Sequence, residues 1–173
     1  MISKLVGAGL VIGIAGWTGL QKASLLTRRT EGLRQIKMAL GYLEKEISYA
    51  RSPLEQALER TAAVSCTPAS ELFREGHFAL SRERSITAQE AWESGVARIR
   101  QMNLFTDEDL GIIRMVGDRM GTSDAADQVK MLRLAAEELG IQEEKSRTRE
   151  LSEKKLWRYG GFLVGLMITI LML

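Results

Sequence analysis

Few side chains in this chain could perform nucleophilic or acid–base catalysis. The 173 residues include one histidine and one cysteine, side chains that often serve as general base and thiol nucleophile. His77 follows Glu75 and Gly76 near the end of a helical stretch, whereas Cys66 belongs to a different loop. Neither phosphate-binding motif, GxxxxGKS/T or GxGxxG, is present. We therefore expect a protein that is not an enzyme.

Two groups of carboxylates have the ligand chemistry that a divalent cation requires. One is the run from Asp107 to Asp109, and the other comprises Asp118, Asp124 and Asp127. Capping of a helix that opens at Thr106, with the three carboxylates against its positive end, explains the first group without a metal. A local cap or turn explains most of the second. With one histidine and one cysteine, the usual zinc and haem ligand sets are also missing, so we expect neither metal nor cofactor.

The composition excludes several classes of protein. A hydrophobic fraction of 45% is too high for a disordered chain, and two prolines are too few for a loop-rich one. The net charge of +2, from 24 basic and 22 acidic residues, is too balanced for a nucleic-acid-binding surface. We expect no nucleic-acid partner. The averages hide a division of the chain into two apolar ends and a charged middle.

Both ends of the chain have the composition of membrane segments. Residues 5–20 and 159–173 carry no charged side chain. As helices they would be about 22–24 Å long, less than the ~30 Å hydrocarbon core, although flanking lysines and arginines can reach toward the interface. We predict an N-terminal transmembrane helix over residues 1–20 and a C-terminal one over residues 157–173. The alternatives are a cleaved signal peptide for the first and a buried core helix for the second.

Glycines recur at helical spacing in both apolar segments. Gly9 and Gly13 in the first, and Gly161 and Gly165 in the second, are each four residues apart. This GxxxG spacing lets helices approach closely in lipid, so we predict that these faces pack in the membrane. The alternative is that glycine is simply common in membrane helices.

The middle of the chain has helical periodicity. Apolar residues recur every three or four positions in four stripes, of which the first runs from Leu33 to Ala50. We predict an all-α antiparallel bundle of about six helices over residues 21–142. A charged helical stalk over residues 143–156 follows. Leu151 is the only apolar residue in its charged run, 143–155. The six helices are predicted over residues 28–50, 53–64, 68–80, 88–102, 107–120 and 124–156.

Helix-capping residues mark the breaks between the stripes. Ser52 and Glu55 have the spacing of a capping box, with Pro53 at the first helical position. Thr87 and Glu90 have the same spacing. Further helix starts are expected at Thr67-Pro68, Thr106 and Ser123-Asp124, and a left-handed helix end at Gly121.

Two runs of residues stand in order between the apolar ends. They are Leu43-Glu44-x-Glu46-Ile47-x-Tyr49 with Pro53-Leu54, and Gly121-x-Ser123-Asp124-x-x-Asp127-Gln128. With these runs, the chain resembles the stage III sporulation protein AB family of endospore-forming bacteria over its full length. The second run has two interpretations, a tight structural turn or a knob that contacts a partner, involving Gly121, Ser123, Asp124, Asp127 and Gln128.

This resemblance implies a structural subunit of the complex between mother cell and forespore. Such proteins are similar to the inner-membrane platform proteins of type II secretion and type IV pilus machines, which sit beside a cytoplasmic ATPase. The implied partners are the other stage III sporulation proteins, including the ATPase SpoIIIAA. Secretion platforms have two related bundles, so one bundle implies homo-oligomerisation or partners. The alternative function is a membrane-anchored sensor or signalling adaptor.

The charges that flank the first apolar segment predict the orientation of the domain. Five basic residues and one acidic residue follow it within residues 22–37, whereas Lys4 alone precedes it. By the positive-inside rule, we expect the main domain in the mother-cell cytoplasm, held at the membrane that faces the forespore. A signal-anchor with Lys4 inside and the domain outside is the alternative.

Overall fold

The computed structural model describes residues 25–82, 85–121 and 124–172, with side chains through residue 152. The regular structure in this part of the chain is entirely helical, which confirms the all-α class. Helix α1 covers residues 25–45 and continues into a π-helical turn, Glu46–Ala50. The other helices are α2 (Leu54–Val64), α3 (Ala69–Arg82), α4 (Ala88–Arg100), α5 (Asp107–Gly117) and α6 (Ala125–Met172).

The chain divides into two compact units. Residues Arg29–Glu144 form the helical bundle, and Met1–Arg28 with Lys145–Leu173 form the other unit. The apolar stripe of α1 lies in the bundle core, where Leu33 and Leu40 are fully buried. Burial of apolar surface is the main stabilising contribution to such a core. The largest fully buried side chains are Trp92, Phe73, Leu33, Ile36, Leu40, Leu43, Leu58, Leu72, Ile99, Ile113, Leu132 and Leu139.

Within the bundle, α1 and α6 run antiparallel. Lys37 of α1 pairs with Glu143 near the end of the bundle portion of α6. Further along α1, Glu44 accepts a 2.7 Å hydrogen bond from Arg133, which comes earlier in α6. The order of partners on one helix is therefore the reverse of that on the other, as the prediction of an antiparallel bundle requires.

Helices α3 and α4 approach too closely to admit a side chain at one position. A Cβ atom at Gly95 would lie 2.4 Å from the backbone oxygen of Leu72. Beside this contact Phe73 and Trp92 pack edge to face, with ring centroids 5.5 Å apart. The indole Nε1 of Trp92 donates a 2.8 Å hydrogen bond to the carbonyl oxygen of Ile113 in α5. Trp92 thus joins three helices without leaving its polar atom unpaired.

The cap at the start of α4 confirms the sequence prediction. The backbone N–H of Glu90 donates to the Thr87 hydroxyl, and the Glu90 carboxylate accepts from the Thr87 backbone at 2.8 Å. These hydrogen bonds hold the pKa of Glu90 below its usual value, with the backbone of Thr87 as the main cause. Gly121, with φ of +78°, has the left-handed conformation predicted for it.

The predicted capping box at Ser52 is wrong. Pro53 precedes the first helical residue of α2 as its N-cap, and α2 begins at Leu54 without a side-chain cap hydrogen bond. The backbone N–H of Ser52 donates to the carbonyl of Glu46 at 3.2 Å, and its hydroxyl donates to the Glu46 carboxylate at 2.9 Å. These bonds close the π-helical turn, so the Ser52 hydroxyl is used there instead of at the helix start.

Helix α6 runs without a break through the charged residues 143–156 and on to Met172. Residues 157–172 therefore continue α6, and within the described residues they do not form a separate helix. None of the helices within 25–82, 85–121 and 124–172 is long and apolar enough to cross a membrane, so these helices do not support the predicted transmembrane span. The fifteen uncharged residues are fewer than the ~20 that a span needs. The predicted helix over residues 1–20 lies outside the described residues.

Candidate interaction surfaces

The first turn of α5 connects three other helices of the bundle. Asp107 pairs with Arg100 at the end of α4, at 2.9 Å. The Glu108 carboxylate accepts a 2.7 Å hydrogen bond from Gln142 of α6. The third carboxylate, Asp109, is paired with α1. The sequence interpretation assigned this run to capping at the helix start, and Thr106 and Asp109 do form a capping box. In addition, each of the three carboxylates has a partner on another helix.

The pair between Arg29 of α1 and Asp109 is bidentate and buried. Arg29 Nε and Nη2 donate to the two Asp109 oxygens at 2.8 and 2.9 Å, and the side chains are 11% and 0% exposed. The backbone N–H of Thr106 also donates to the Asp109 carboxylate at 2.9 Å. Burial raises the pKa of Asp109, but the hydrogen bonds from Arg29 and Thr106 outweigh it, so that this pKa lies below its usual value.

The turn before α6 contains the residues of the second sequence run. A Cβ atom at Gly121 would lie 2.9 Å from that of Ala88, so this turn packs against the start of α4. The Asp124 carboxylate accepts a 2.8 Å hydrogen bond from the backbone N–H of Asp127, and the Asp124 carbonyl accepts from that of Gln128. Asp124 therefore caps α6. Ser123 lies outside the described residues.

The second acidic group is distributed among separate contacts. Asp118 accepts a 3.1 Å hydrogen bond from Gln89 of α4, while Asp124 caps α6. In the part of the chain that the structure describes, no group of three histidine, cysteine, aspartate or glutamate residues could hold a metal ion.

The described residues do not test the predicted membrane packing of the four glycines. Gly9 and Gly13 lie outside the described residues. Gly161 and Gly165 lie on the helical backbone of α6. Their packing stays a prediction.

The structure brings His77 next to two residues that the sequence interpretation did not connect with it. Ser81 Oγ donates to Glu55 Oε1 and lies 2.9 Å from the carbonyl of His77, while His77 Nε2 is 3.5 Å away. His77 Nδ1 lies 3.2 Å from the Glu55 carbonyl. A Ser-His nucleophile needs the serine hydrogen bond to go to the histidine and the carboxylate to orient the ring. Here the Ser81 hydroxyl donates to the Glu55 carboxylate, and the carboxylate does not orient the histidine ring. The cluster therefore connects α2 to α3.

An apolar stripe on α1 faces solvent, on the side opposite the core stripe. Met38, Tyr42 and Tyr49 are exposed, the last by 83%, and they recur at spacings of four and seven residues. Lys45 lies 5.8 Å from the centre of the Tyr42 ring. We call these four residues the outer face of α1. Aromatic and methionine side chains are enriched where proteins bind one another, so this face is a candidate interaction surface.

Comparison with known proteins identifies the family. The family model described as stage III sporulation protein AB matches residues 4–173. The chain belongs to this family. Stage III sporulation protein AB of Bacillus subtilis (strain 168) is 29% identical over 170 residues, covering 98% of this chain and 99% of that protein.

The fold of the family agrees with that of the bundle. A solved structure of stage III sporulation protein AB (SpoIIIAB) has a TM-score of 0.64 and 26% sequence identity. The similarity covers 72% of this chain and 98% of the solved one. The names of both relatives state a sporulation stage and no enzymatic activity.

Proposed function

We propose that this stage III sporulation AB protein is a non-enzymatic, platform-like structural subunit of the complex between mother cell and forespore. In this role the apolar residues 5–20 and 159–173 insert into the mother-cell membrane that faces the forespore. The bundle lies on the cytoplasmic side, which the basic residues after the first segment support. Its partners are the other stage III proteins and the ATPase SpoIIIAA, and copies of the chain associate with one another.

The outer face of α1 is the observation on which this function rests. A protein that works by assembly must present side chains whose burial on binding gains free energy, and exposed Met38, Tyr42 and Tyr49 do so. Tyr49 lies in the π-helical turn, a distortion that is frequent at functional positions. It also belongs to the first of the two runs of residues that carry the family resemblance. We propose this face as the contact for SpoIIIAA.

No observation favours the alternative function of a sensor. A ligand site inside the bundle would need polar groups that are not already satisfied within the protein. In the described part of the chain, every buried side-chain nitrogen or oxygen has a hydrogen-bond partner. The buried Thr61 hydroxyl, for example, donates to the carbonyl of Ala57 at 2.7 Å.

A pull-down with matched variants tests the proposed contact. The full chain in mild detergent is mixed with purified SpoIIIAA, and bound ATPase is quantified for the native chain and for Met38→Ser/Tyr42→Ser. The control, Val64→Ser/Phe78→Ser, removes two other exposed apolar side chains, on α2 and α3. We expect at least a tenfold loss of affinity in the first variant only, since truncation at an interface centre costs about 2 kcal/mol or more.

The outcomes separate the surface from the partner. If the native chain captures no ATPase, the contact with SpoIIIAA is wrong. If both double variants bind as the native chain does, the ATPase binds elsewhere. Sporulation in cells that carry each variant in place of the native gene provides a second measurement, and we expect a defect only with the outer-face variant.

A further inference from the structure

The two compact units of the chain differ in charge. The unit formed by Met1–Arg28 and Lys145–Leu173 has nine basic and two acidic residues, a net charge of +7. The bundle, Arg29–Glu144, has fifteen basic and twenty acidic residues, a net charge of −5. Eight of the nine basic residues lie between the bundle and an apolar segment, and we call residues 21–28 and 145–158 the basic neck. They are Lys22, Arg28, Lys145, Arg147, Arg149, Lys154, Lys155 and Arg158.

The side chains that the structure describes in the neck present these cations to solvent. Arg28, Arg147 and Arg149 are exposed. The Glu150 carboxylate is half-buried and accepts a 2.8 Å hydrogen bond from the Thr27 hydroxyl. This contact places the start of α1 beside α6 within the same unit, so cations from both stretches of the neck lie near one another.

Charge surrounds α6 in the neck. Successive residues of an α-helix are rotated by about 100°, so Lys145 and Arg149 share one side of the helix and Arg147 lies on the opposite side. A helix that lies flat on a membrane needs an apolar face, but Leu151 is the only apolar residue of the run 143–155. This distribution fits a helix that passes through a layer of negative charge.

We propose that the basic neck binds the headgroups of anionic phospholipids. This inference rests on the proposed function, in which the apolar residues 5–20 and 159–173 insert into the membrane. The residues that flank an inserted segment lie at the level of the lipid headgroups. Clusters of four to eight basic residues beside a membrane helix are typical of anionic-lipid binding, and each cation at that level strengthens it about fivefold.

The strength of attraction falls along the neck. Arg149 lies about 8 Å along the helix axis from Lys154, and Lys145 about 14 Å. The Debye length at physiological salt is about 8 Å, so cations further from the apolar segment contribute progressively less. Lys154, Lys155 and Arg158, which are nearest to the apolar segment, therefore dominate, and Arg147 and Arg149 add less.

Tryptophan quenching in reconstituted vesicles tests the proposal with the full chain. The vesicles contain phosphatidylcholine with roughly one-fifth phosphatidylglycerol, a typical anionic lipid, and bromine is placed on the acyl chains of one lipid or the other. Trp157 and Trp17 lie in or beside the apolar segments, whereas Trp92 is 1% exposed in the bundle core and gives an unquenched baseline. We expect quenching per mole to favour brominated phosphatidylglycerol about twofold or more.

Matched variants locate the effect. Lys154→Gln/Lys155→Gln should lower the ratio of quenching by brominated phosphatidylglycerol to quenching by brominated phosphatidylcholine toward one, and Arg147→Gln/Arg149→Gln should lower it less. Arg51→Gln/Lys130→Gln removes the same charge from exposed bundle positions and should leave it unchanged. Raising the salt from about 0.1 M to about 1 M, which shortens the Debye length from ~10 to ~3 Å, should also abolish the preference.

Each contrary outcome identifies what is wrong. If neither brominated lipid quenches, the chain is not inserted, and the membrane attachment itself is overturned. Quenching that is equal per mole for the two lipids overturns only the headgroup site and leaves an acidic protein as the partner of the neck. A loss of preference in the bundle control as large as in the neck variants would show that net charge, and not the neck, attracts the lipid.

Discussion

Two Arg–Asp pairs at the first turn of α5 offer an internal comparison of buried and exposed ion pairs. Arg29 and Asp109 are 11% and 0% exposed, whereas Arg100 and Asp107 are 59% and 90% exposed. Arg29→Met keeps most of the side-chain volume but leaves the Asp109 carboxylate buried without its cation. The loss of one partner from a buried pair costs about 3–5 kcal/mol. We expect the lower end, about 3 kcal/mol, because the Thr106 backbone hydrogen bond remains.

The exposed pair should behave differently. Arg100→Met removes a single hydrogen bond, at 2.9 Å, in a position where water solvates both groups. Exposed pairs of this kind contribute between about 0 and 1 kcal/mol. Urea unfolding of the full chain in mild detergent, followed by the fluorescence of buried Trp92, measures both variants at neutral pH. Equal destabilisation by the two substitutions would refute the argument from burial.

The pH dependence provides a second, independent measurement. The pKa of Asp109 is lowered in the folded protein, so its contribution is present above the unfolded pKa of about 4 and is lost as the pH falls through the folded pKa. In Arg29→Met, burial without the cation raises this pKa. Protonation of Asp109 then removes the buried charge in the variant. The difference in unfolding free energy between the native protein and the variant should therefore shrink on acidification. A difference that stays constant from neutral pH to about pH 4 would contradict this assignment.

Two further predictions concern helix packing and capping. Gly95→Ala should destabilise the bundle by about 1–3 kcal/mol, because its Cβ would lie 2.4 Å from the Leu72 carbonyl. The same substitution at Gly41, where nothing lies within 4 Å, should stabilise it by up to ~1 kcal/mol, and urea unfolding that ranks the two in the reverse order would contradict the packing. Thr87→Ala should cost about 1 kcal/mol by removing the cap of α4, and Thr87→Ser should restore most of it; an unchanged midpoint in the alanine variant would show that the cap contributes nothing.

Local patterns were sufficient to predict the helices and most of the core. The stripe from Leu33 to Leu43 is buried as predicted, because burial follows helical periodicity along one segment. The capping box at Thr87 was likewise predictable from a spacing of three residues. Ser52 has the same local signal and fails, because the π-helical turn before it takes up its hydroxyl, and that turn has no sequence signature of its own.

The long-range contacts of the candidate surfaces could not be predicted in this way. His77 and Glu55 are 22 residues apart, and Arg29 and Asp109 are 80 apart. The capping-box spacing places Asp109 three residues after Thr106, but it does not predict that Asp109 is buried against α1 while Asp107 is exposed. Which carboxylate faces a neighbouring helix depends on how the helices pack, and single-sequence periodicity does not determine that packing.

The first turn of α5 holds the bundle at both places where the chain enters and leaves it. Arg29 is the first residue of that unit, and Gln142 lies two residues before its last, Glu144. Asp109 binds the former and Glu108 the latter. An apolar pair at Arg29 and Asp109 could be equally stable, but it would not fix the rotation of α1 against α5, because apolar contacts have no direction. A bidentate pair requires one arrangement of the two planar groups. In a subunit that works by assembly, one fixed arrangement of these two helices keeps the outer face of α1 in a single position on the bundle.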